Sequence, residues 1–324
     1  MELSVVVPTL NGRDRLAACL DALAAHAPGA EVIVANGPSA DGTTGMVRDR
    51  DDVDVLVEIS DRTVNVARNA GIEVATGDAV ALVDYDNRVG EGWLDAVRAG
   101  LDDADAVTGP VTPVDRSRGA GDVEGGDVEG GDVSDDAGGP ERRTIAGRDV
   151  TYFAGGNVAF RRETLRDLDG FDEYLRTGGA RDAAHRLARM DREVAWRDDL
   201  AVTKEPTSPT AADGGRSARE WGWKYRALAY RLLKNYGVRP TVMARAGSHA
   251  VTDALGAAAD VVRGESTPSR WVATGRDVLV GLAAGGSDGL VARGRDRSPA
   301  RNPNGISDRA DRAVAKYDRR EREE

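Results

Sequence analysis

The chain has 324 residues, 40% of them hydrophobic, which is enough to bury the core of one large α/β domain with appendages. Its single cysteine, Cys19, excludes a disulfide framework and a cysteine-based zinc site, and its formal net charge of -11 disfavours nucleic-acid binding. The acidic balance and the use of only four lysines, Lys204, Lys224, Lys234 and Lys316, predict a salt-adapted cytoplasmic protein.

Residues 3–111 alternate between strand-like and helix-like patterns. Apolar runs indicate strands at LSVVVPT, AEVIVAN, VDVLVEI, DAVALVD and ADAVTGPV. Between them, helices are indicated by a stretch GTTGMVRDR that Asp41 can cap, and by apolar stripes at Leu16/Leu20/Leu23, Val66/Ala70/Val74 and Leu94/Val97/Leu101. This order predicts an α/β, Rossmann-like fold with a mostly parallel sheet flanked by helices. Ligands of such sheets bind beyond the carboxyl ends of the strands.

The rest of the chain predicts three further segments. Residues 115–148, which contain GDVEGGDVEGGDVSDDAGG, indicate a flexible acidic insertion within a domain spanning residues 1–237. Structure resumes at DVTYFAGGNVAFRRETL, and a helix is predicted around Ala183 to Met190. A helical extension is expected over residues 238–292, and a charged, disordered tail over 293–324.

The predicted helix Ser217–Tyr236 places Trp221, Tyr225, Leu228 and Leu232 on one face, with Arg219, Arg226 and Lys234 among its polar positions. That face suits a membrane surface or a lipid phosphate, or equally the core of the domain. The chain begins MELSVVVPTL, a strand pattern unlike a signal peptide, and no segment reaches the roughly 18 apolar residues of a membrane span. We therefore predict a cytoplasmic location, with peripheral contact at the inner face of the membrane as an option.

Two aspartates, Asp84 and Asp86, follow the apolar run ALV in the stretch ALVDYDNRV. Carboxylates at alternate positions of a chain leaving a strand can converge on one divalent cation, which cancels their repulsion. Mg²⁺ or Mn²⁺ would keep open positions for phosphate oxygens, so the predicted site needs a phosphorylated ligand. The alternative is that both aspartates only solvate a strand end.

Four segments occur in order at the strand ends: VVVPTLNGRDRL, EVIVANGPSADGTT, NVARNAGIEVATGD and ALVDYDNRV. Together they make residues 3–235 resemble the family 2 glycosyltransferases, which have the GT-A fold. The resemblance implies a nucleotide-sugar site formed by Pro8, Thr9, Asn11, Asn36, Asp41, Arg68, Asn69, Asp84 and Asp86, with Asp84 and Asp86 on the metal. As alternatives, Thr9 and Asn11 would be turn or cap residues, Asp41 an N-cap, and Arg68 a member of a surface ion pair.

The chain departs from the family pattern at three places. Ala35 stands where the family usually has an acidic residue, which leaves base contacts to Asn36. The segment RTGGARDAAHRLAR puts Gly179 and Ala180 at the family's Glu-Asp pair, whose aspartate is the usual catalytic base. AVTKEPTS lacks the histidine that often serves the metal, so we expect Asp86 to hold the ion with fewer protein ligands.

Asp182 is the replacement that the resemblance suggests for the catalytic base, with His185 behind it, because an inverting transfer needs a base within reach of the acceptor hydroxyl. Asp182 as a helix N-cap and His185 as a packing residue are the alternatives. By the same resemblance, Gly155, Gly156 and Asn157 line the sugar, or the glycines serve a bulge instead. Phe171 in GFDEYL is expected in the core.

These features predict a metal-dependent, inverting glycosyltransferase that moves a sugar from a nucleotide diphosphate to a lipid-linked or saccharide acceptor in glycan assembly. The rival is a nucleotide-sugar-binding scaffold that lost catalysis with its Glu-Asp pair. A nucleotidyltransferase would share the sheet and the metal aspartates. However, it would be expected to have a basic, glycine-rich loop where this chain has PTLNGRDRL.

Overall fold

The computed structural model describes residues 1–114, 139–205, 221–242, 244, 247 and 267–320. The chain divides into two compact units. The first comprises Met1–Arg142, Thr151–Ser208 and Asn304–Glu324, and the second comprises Arg143–Val150 and Pro209–Pro303. These units change after residues 208 and 303, whereas the sequence analysis placed boundaries at residues 237 and 292.

The strands of the described residues are β1 (Leu3–Thr9), β2 (Glu31–Asn36), β3 (Val55–Ile59), β4 (Ala79–Val83), β5 (Asn87–Val89), β6 (Ala106–Thr108), β7 (Val111–Pro113), β8 (Arg142–Ile145), β9 (Arg148–Thr151), β10 (Asn157–Arg161), β11 (Val194–Trp196), β12 (Val202–Lys204) and β13 (Ala313–Asp318). The helices are α1 (Arg13–His26), α2 (Thr43–Arg48), α3 (Val64–Val74), α4 (Trp93–Asp103), α5 (Arg162–Leu168), α6 (Gly179–Arg189), α7 (Trp221–Tyr236) and α8 (Pro268–Arg295). The strands and helices predicted for residues 3–111 are all present, with the fifth predicted strand split into β6 and β7.

The central sheet belongs to the first unit and has eight strands in the order β11-β6-β10-β4-β1-β2-β3-β13. β1 pairs in parallel with β2 and β4, β2 with β3, and β6 with β11. β1 and β4 are buried along their whole length, as expected of parallel strands covered by helices. The predicted α/β fold with a mainly parallel sheet is confirmed, and the carboxyl ends of β1, β2 and β4 share one edge.

Two antiparallel pairings bring later segments to that edge. β10 runs between β4 and β6, and its first residue, Asn157, pairs with Val83 at the end of β4. Gly155 and Gly156 therefore lie beside Asp84, whose backbone N–H donates to the Gly156 carbonyl at 3.1 Å. A second sheet, in the order β5-β12-β7, continues from this point.

The C-terminal segment is ordered where the sequence predicted a disordered tail. α8 continues to Arg295, a short 3-10 helix covers Ile306–Asp308, and β13 pairs antiparallel with β3 at the edge of the sheet. Buried Arg312 forms ion pairs with Glu73 and Glu173, so its charge is compensated inside the unit. The prediction failed because a charged composition does not show that its charges have buried partners. Residues 321–324 lie outside the described residues.

The predicted insertion is also corrected in part. β8 and β9 form a two-stranded hairpin that includes residues 142–148 of that segment, with Ile145 and Val150 buried. The glycine–aspartate repeat, apart from its last residue, Gly139, lies outside the described residues.

In the second unit, α7 and α8 pack closely through glycines. A Cβ atom at Gly281, Gly285 or Gly289 would come within 2.5 Å of a backbone carbonyl oxygen of α7, so only glycine permits this approach. Tyr225, Leu228 and Leu232 are buried, which favours the core-facing interpretation of their helix face. Lys234, predicted on the polar side, is also buried. No helix within the described ranges is long and apolar enough to cross a bilayer.

Candidate functional site

The loops after β1 and β2 are tied together by side-chain hydrogen bonds. The Asn11 N–H donates to the Ser39 hydroxyl at 2.8 Å, and the Asn11 side-chain oxygen accepts from the Ala40 N–H at 2.8 Å. The Ser39 hydroxyl in turn donates to Asn36 at 2.7 Å. Asn11 has a φ of 51°, a left-handed conformation that asparagine tolerates. Asn11 thus has the predicted turn role, and it also joins the first two predicted nucleotide loops.

Asp41 organises the starts of two helices. Its carboxylate accepts from the Arg13 N–H at 3.0 Å and from the Thr43 N–H at 3.1 Å, at the beginnings of α1 and α2. Burial raises the pKa of Asp41, but hydrogen bonds, chiefly from Thr43 and Arg13, outweigh it and hold the pKa below its ordinary value. The N-cap of α2 is Gly42, with a φ of 84°, so Asp41 stabilises the turn before the cap.

Pro8 and Thr9 end β1 with buried side chains. The Thr9 hydroxyl oxygen is buried and has no hydrogen-bond partner among the described residues. A buried hydroxyl without a partner is uncommon, because losing its hydrogen bonds to water costs free energy. The Thr9 hydroxyl, at the start of the first predicted loop, is therefore available to hydrogen-bond a ligand.

Arg68 and Asp84 form an ion pair at the edge of the sheet. Arg68, in the middle of α3, is buried, and its Nη2 lies 3.2 Å from Asp84 Oδ1. The guanidinium carbon also lies 5.4 Å from the centre of the Phe171 ring, which is in the core as predicted. The alternative of a surface ion pair for Arg68 is wrong, because α3 and the Phe171 segment bury it.

Asp86 is paired with a residue that the sequence analysis did not select, Lys204. The Lys204 Nζ lies 3.5 Å from Asp86 Oδ2, and the exposed fractions of the two side chains are 25% and 8%. Burial raises the pKa of Asp86 above its ordinary value, with the Asp84 carboxylate adding to the rise and the Lys204 ammonium opposing it. Lys204 lies in the segment AVTKEPTS, which lacks the histidine expected from the family pattern. A positive charge in that segment was the sequence feature that could have indicated a partner for Asp86.

Gly155 and Gly156 leave room for the two charged side chains of the site. A Cβ atom at Gly156 would lie 2.1 Å from the Asp84 carboxyl carbon, and one at Gly155 would lie 2.9 Å from Arg68 Nη2. The main chain therefore approaches the carboxylate more closely than any other residue type allows. The glycines shape the site by admitting Asp84 and Arg68.

Two predicted site residues serve the fold instead. Asn69 donates to the Phe171 carbonyl and to Glu173, and accepts from the Phe171 N–H, at 2.8–2.9 Å. Asn157 donates to the Leu200 carbonyl at 2.7 Å and accepts from the Trp93 indole at 3.2 Å. Both side chains are fully buried with these bonds made, so the predictions that they bind nucleotide or sugar are not supported.

Asp182 and His185 are also buried. Asp182 forms an ion pair with Arg186 at 2.8 Å, with both side chains 0% exposed, and it lies inside α6, whose N-cap is Gly178. The base role is not supported, because this carboxylate has no accessible surface, and the N-cap alternative is wrong. His185 Nε2 lies 3.5 Å from the Tyr152 hydroxyl, and the two rings meet edge to face, which agrees with a packing role.

Cys19 lies beneath the site as a core residue. Burial raises its pKa to about 12, so the thiol stays protonated and unreactive. The thiol donates weakly to the Asp84 carbonyl, with the two atoms 3.8 Å apart.

A divalent cation fits this site only with help from a ligand. Asp84 and Asp86 offer the hard oxygen donors that Mg²⁺ and Mn²⁺ prefer. Each carboxylate already has a cationic partner, and in the described part of the chain no group of three acidic, histidine or cysteine side chains could hold a metal. Phosphate oxygens would therefore have to complete the coordination, as the sequence analysis expected.

The chain matches the profile of a family described as "Glycosyl transferase family 2" over residues 4–169. It is 26% identical over 226 residues to the pre-mycofactocin glycosyltransferase of Mycobacterium tuberculosis, covering 68% of this chain and 44% of that protein. It is 31% identical over 100 residues to glycosyltransferase AglE of Haloferax volcanii, covering 29% of this chain and 33% of AglE. The chain thus spans less than half the length of these curated relatives.

Two solved structures share the fold at 19% identity. Staphylococcus aureus TarS 1–349 in complex with UDP-GlcNAc superposes with a TM-score of 0.54, covering 73% of this chain and 68% of that one. The mannosyltransferase PcManGT of Pyrobaculum calidifontis, in complex with GDP-Man and Mn²⁺, superposes with a TM-score of 0.53, covering 88% and 87%. At 19% identity this similarity establishes the fold alone. The ligand has to be inferred from the residues of the site.

Proposed function

The chain belongs to glycosyl transferase family 2 and has the GT-A fold, and on that premise we propose that it transfers a sugar from a nucleotide-diphosphate donor to a saccharide or lipid-linked acceptor. The observation that supports this most is the cluster at the carboxyl end of β4. Asp84 and Asp86 lie there with Arg68 and Lys204, beside loops that end β1 and β2. This edge is where parallel α/β sheets bind nucleotides.

In the proposed reaction, the two loops hold the nucleoside and the acidic cluster holds the diphosphate. Thr9 offers a hydroxyl at the end of β1. Asn36, at the end of β2, is buried and bonded to Ser39 and Thr44, so in this proposal it holds the shape of the second loop.

Arg68 would offer its guanidinium to the phosphates. Gly155 and Gly156 would let the donor sugar come close to the main chain. Stabilising the charge that develops on the leaving diphosphate is the largest expected contribution to the rate.

A divalent cation is part of the proposal, supported by the Mn²⁺ complex of the structural relative and by the oxygen donors of Asp84 and Asp86. When bound, the ion would offset negative charge on the diphosphate. Asp86 and Asp84 would hold it together with phosphate oxygens.

Inversion at the sugar carbon remains part of the proposal. It requires a base at the acceptor hydroxyl, and the described site residues do not supply one in place of buried Asp182. The rival scaffold function is favoured by that same observation, because a protein that only binds the nucleotide sugar needs no base. A transfer assay separates the two functions.

The test is a thermal-shift screen of UDP-, GDP- and dTDP-sugars with and without Mn²⁺, followed by assays of donor hydrolysis and transfer. We expect one nucleotide class to raise the melting temperature, and Asp86→Ala to remove the further rise that Mn²⁺ gives. Binding without hydrolysis or transfer to any saccharide or polyprenyl-phosphate acceptor would favour the scaffold. The absence of any shift, for protein shown to be folded, would refute both functions.

Each assay should be run in dilute buffer and in molar KCl. The net charge of -11 and the four lysines support our proposal that the protein is salt-adapted, since salt screens repulsion among acidic side chains. Equal stability in both buffers would count against that adaptation.

A further inference from the structure

Lys204 is held beside Asp86 by the backbone. It is the last residue of β12, which pairs antiparallel with β5 so that Lys204 lies opposite Asn87, the residue after Asp86. The Glu205 N–H donates to the Asp86 carbonyl at 3.0 Å. The position of Lys204 therefore follows from strand register, which is set by main-chain hydrogen bonds.

The ammonium is the more accessible member of its pair. The Lys204 side chain is 25% exposed, against 8% for Asp86, and 3.5 Å is a loose contact for an ion pair. By contrast, Arg68 is buried, packs on Phe171 and has the main chain of Gly155 against its guanidinium. Of the two cations, Lys204 has the freedom to change partner, because its charge sits on a flexible four-carbon stem.

The charges of the cluster balance before any ligand arrives. Asp84 is paired with Arg68 and Asp86 with Lys204, so two carboxylates face two protein cations. The Lys204 ammonium therefore already provides, 3.5 Å from Asp86, a positive charge of the kind that can stabilise a diphosphate.

We infer that Lys204 is a donor-binding residue whose ammonium donates to the diphosphate of the bound nucleotide, so that binding persists without a divalent cation. This inference rests on the proposed function. Lysine recognises phosphate as a point charge with three donors, and moving from Asp86 to a phosphate oxygen leaves the carboxylate available to a cation. In this proposal the metal ion and Lys204 compete for the Asp86 carboxylate, and both offset the negative charge of the diphosphate.

The test is calorimetric titration of UDP, GDP and dTDP into the full chain, once with EDTA and once with Mn²⁺. We expect the wild type to bind one nucleotide in EDTA with a Kd within about 10-fold of its value in Mn²⁺. Lys204→Met should weaken binding in EDTA by about 10- to 100-fold, the range for a hydrogen bond to a charged group, and should weaken it less in Mn²⁺. Lys204→Arg keeps the charge and should retain binding in EDTA.

Lys316→Met is the matched control, because Lys316 also pairs with an aspartate on a strand, Asp318, at 3.2 Å. It lies on β13, four strands from β4 in the sheet, or roughly 19 Å away at the usual strand spacing. We expect no change in Kd for this variant. Circular dichroism and urea unfolding show whether each variant is folded. If Lys204→Met does not fold, Lys204→Arg still tests whether a positive charge at this position supports binding in EDTA.

Two results would overturn the inference while leaving the proposed function intact. One is wild-type binding that occurs in Mn²⁺ and vanishes in EDTA. The other is a folded Lys204→Met variant that binds in EDTA as tightly as the wild type. If none of UDP, GDP and dTDP binds in either buffer, the proposed function itself fails, and the inference falls with it.

Discussion

Two pairs of aspartate and cation in the first unit show how differently the same chemistry can be used. Asp182 and Arg186 lie four residues apart in α6, touch at 2.8 Å and have no exposed surface. Asp86 and Lys204 come from a turn and a short strand, lie 3.5 Å apart and keep part of the lysine in solvent. The first pair is a fixed internal link, and the second leaves a charge that can change partner. Residue type alone therefore does not separate an aspartate with a structural role from one that is placed to bind a ligand.

The largest effect that this comparison predicts is on stability at Asp182. Arg186 also donates to the Leu168 and Gly170 carbonyls at 2.6 and 2.9 Å, so Asp182→Ala would leave a buried guanidinium without its countercharge. We expect the free energy of unfolding to fall by about 3–5 kcal/mol, measured by urea denaturation.

The control is Asp95→Ala, which removes an exposed helical aspartate 3.9 Å from Arg98 and should cost about 0.5 kcal/mol or less. If Asp182→Ala leaves stability unchanged but abolishes sugar transfer, the structural role is wrong and the base role returns.

The next effect concerns the two glycines beside Asp84 and Arg68. In Gly156→Ala the new methyl would meet the Asp84 carboxyl carbon at 2.1 Å, so the carboxylate must move. In Gly155→Ala it would meet the Arg68 guanidinium at 2.9 Å, so that buried group would need a smaller displacement. We expect the nucleotide Kd to rise at least about 10-fold for Gly156→Ala and several-fold less for Gly155→Ala. An equal rise in Kd for both variants would show that the position of the Asp84 carboxylate does not control nucleotide binding.

A smaller effect with the opposite sign is predicted at Asp86. Because burial raises the pKa of Asp86, the folded protein holds its negative charge at a cost at neutral pH. Asp86→Asn should therefore keep or raise the free energy of unfolding, by about 1 kcal/mol or less, while nucleotide binding falls. Urea denaturation and calorimetry of the same preparation give both quantities. If Asp86→Asn lost as much stability as Asp182→Ala, both aspartates would have structural roles and the proposed difference between them would be wrong.

The smallest effect belongs to a third aspartate, Asp318 on β13. A hydrogen bond from Arg320, with further help from Lys316, lowers the pKa of Asp318 from its ordinary 3.8 to about 2. A carboxyl with a lowered pKa in the folded state adds stability above its unfolded pKa and loses that contribution as the pH falls through the folded pKa. The stability difference between wild type and Asp318→Asn should thus be constant above pH 4, on the order of 1 kcal/mol or less, and vanish towards pH 2. A difference that persists at pH 2 would contradict the assignment.

The sequence predicted the parallel half of the fold because its signals are local. β1 and β4 are continuous apolar runs ended by polar residues, and the helices between strands have apolar residues at helical spacing. β13 could not be predicted in this way, because its pairing with β3 joins segments at opposite ends of the chain. The antiparallel position of β10 depends on the same kind of distant contact.

The site was predictable only as far as its motifs are continuous in sequence. Asp84 and Asp86 follow β4 as expected, and Arg68 lies beside Asp84. Lys204 was missed because strand register, and no nearby motif, brings it to Asp86. Asn69 and Asn157 were assigned to ligands because an asparagine that binds backbone groups looks the same in sequence as one that binds a nucleotide.

The central claim is that the carboxylates at the end of β4 form the nucleotide-diphosphate site, and its most direct test is a calorimetric titration of three proteins. UDP and GDP would be titrated, with Mn²⁺ present, into the wild type, Asp86→Ala and Asp95→Ala. We predict that the wild type and Asp95→Ala bind one nucleotide with equal Kd, whereas Asp86→Ala, although folded, loses the gain in affinity that Mn²⁺ gives and binds about 10-fold more weakly. Equal binding by all three proteins would contradict the account.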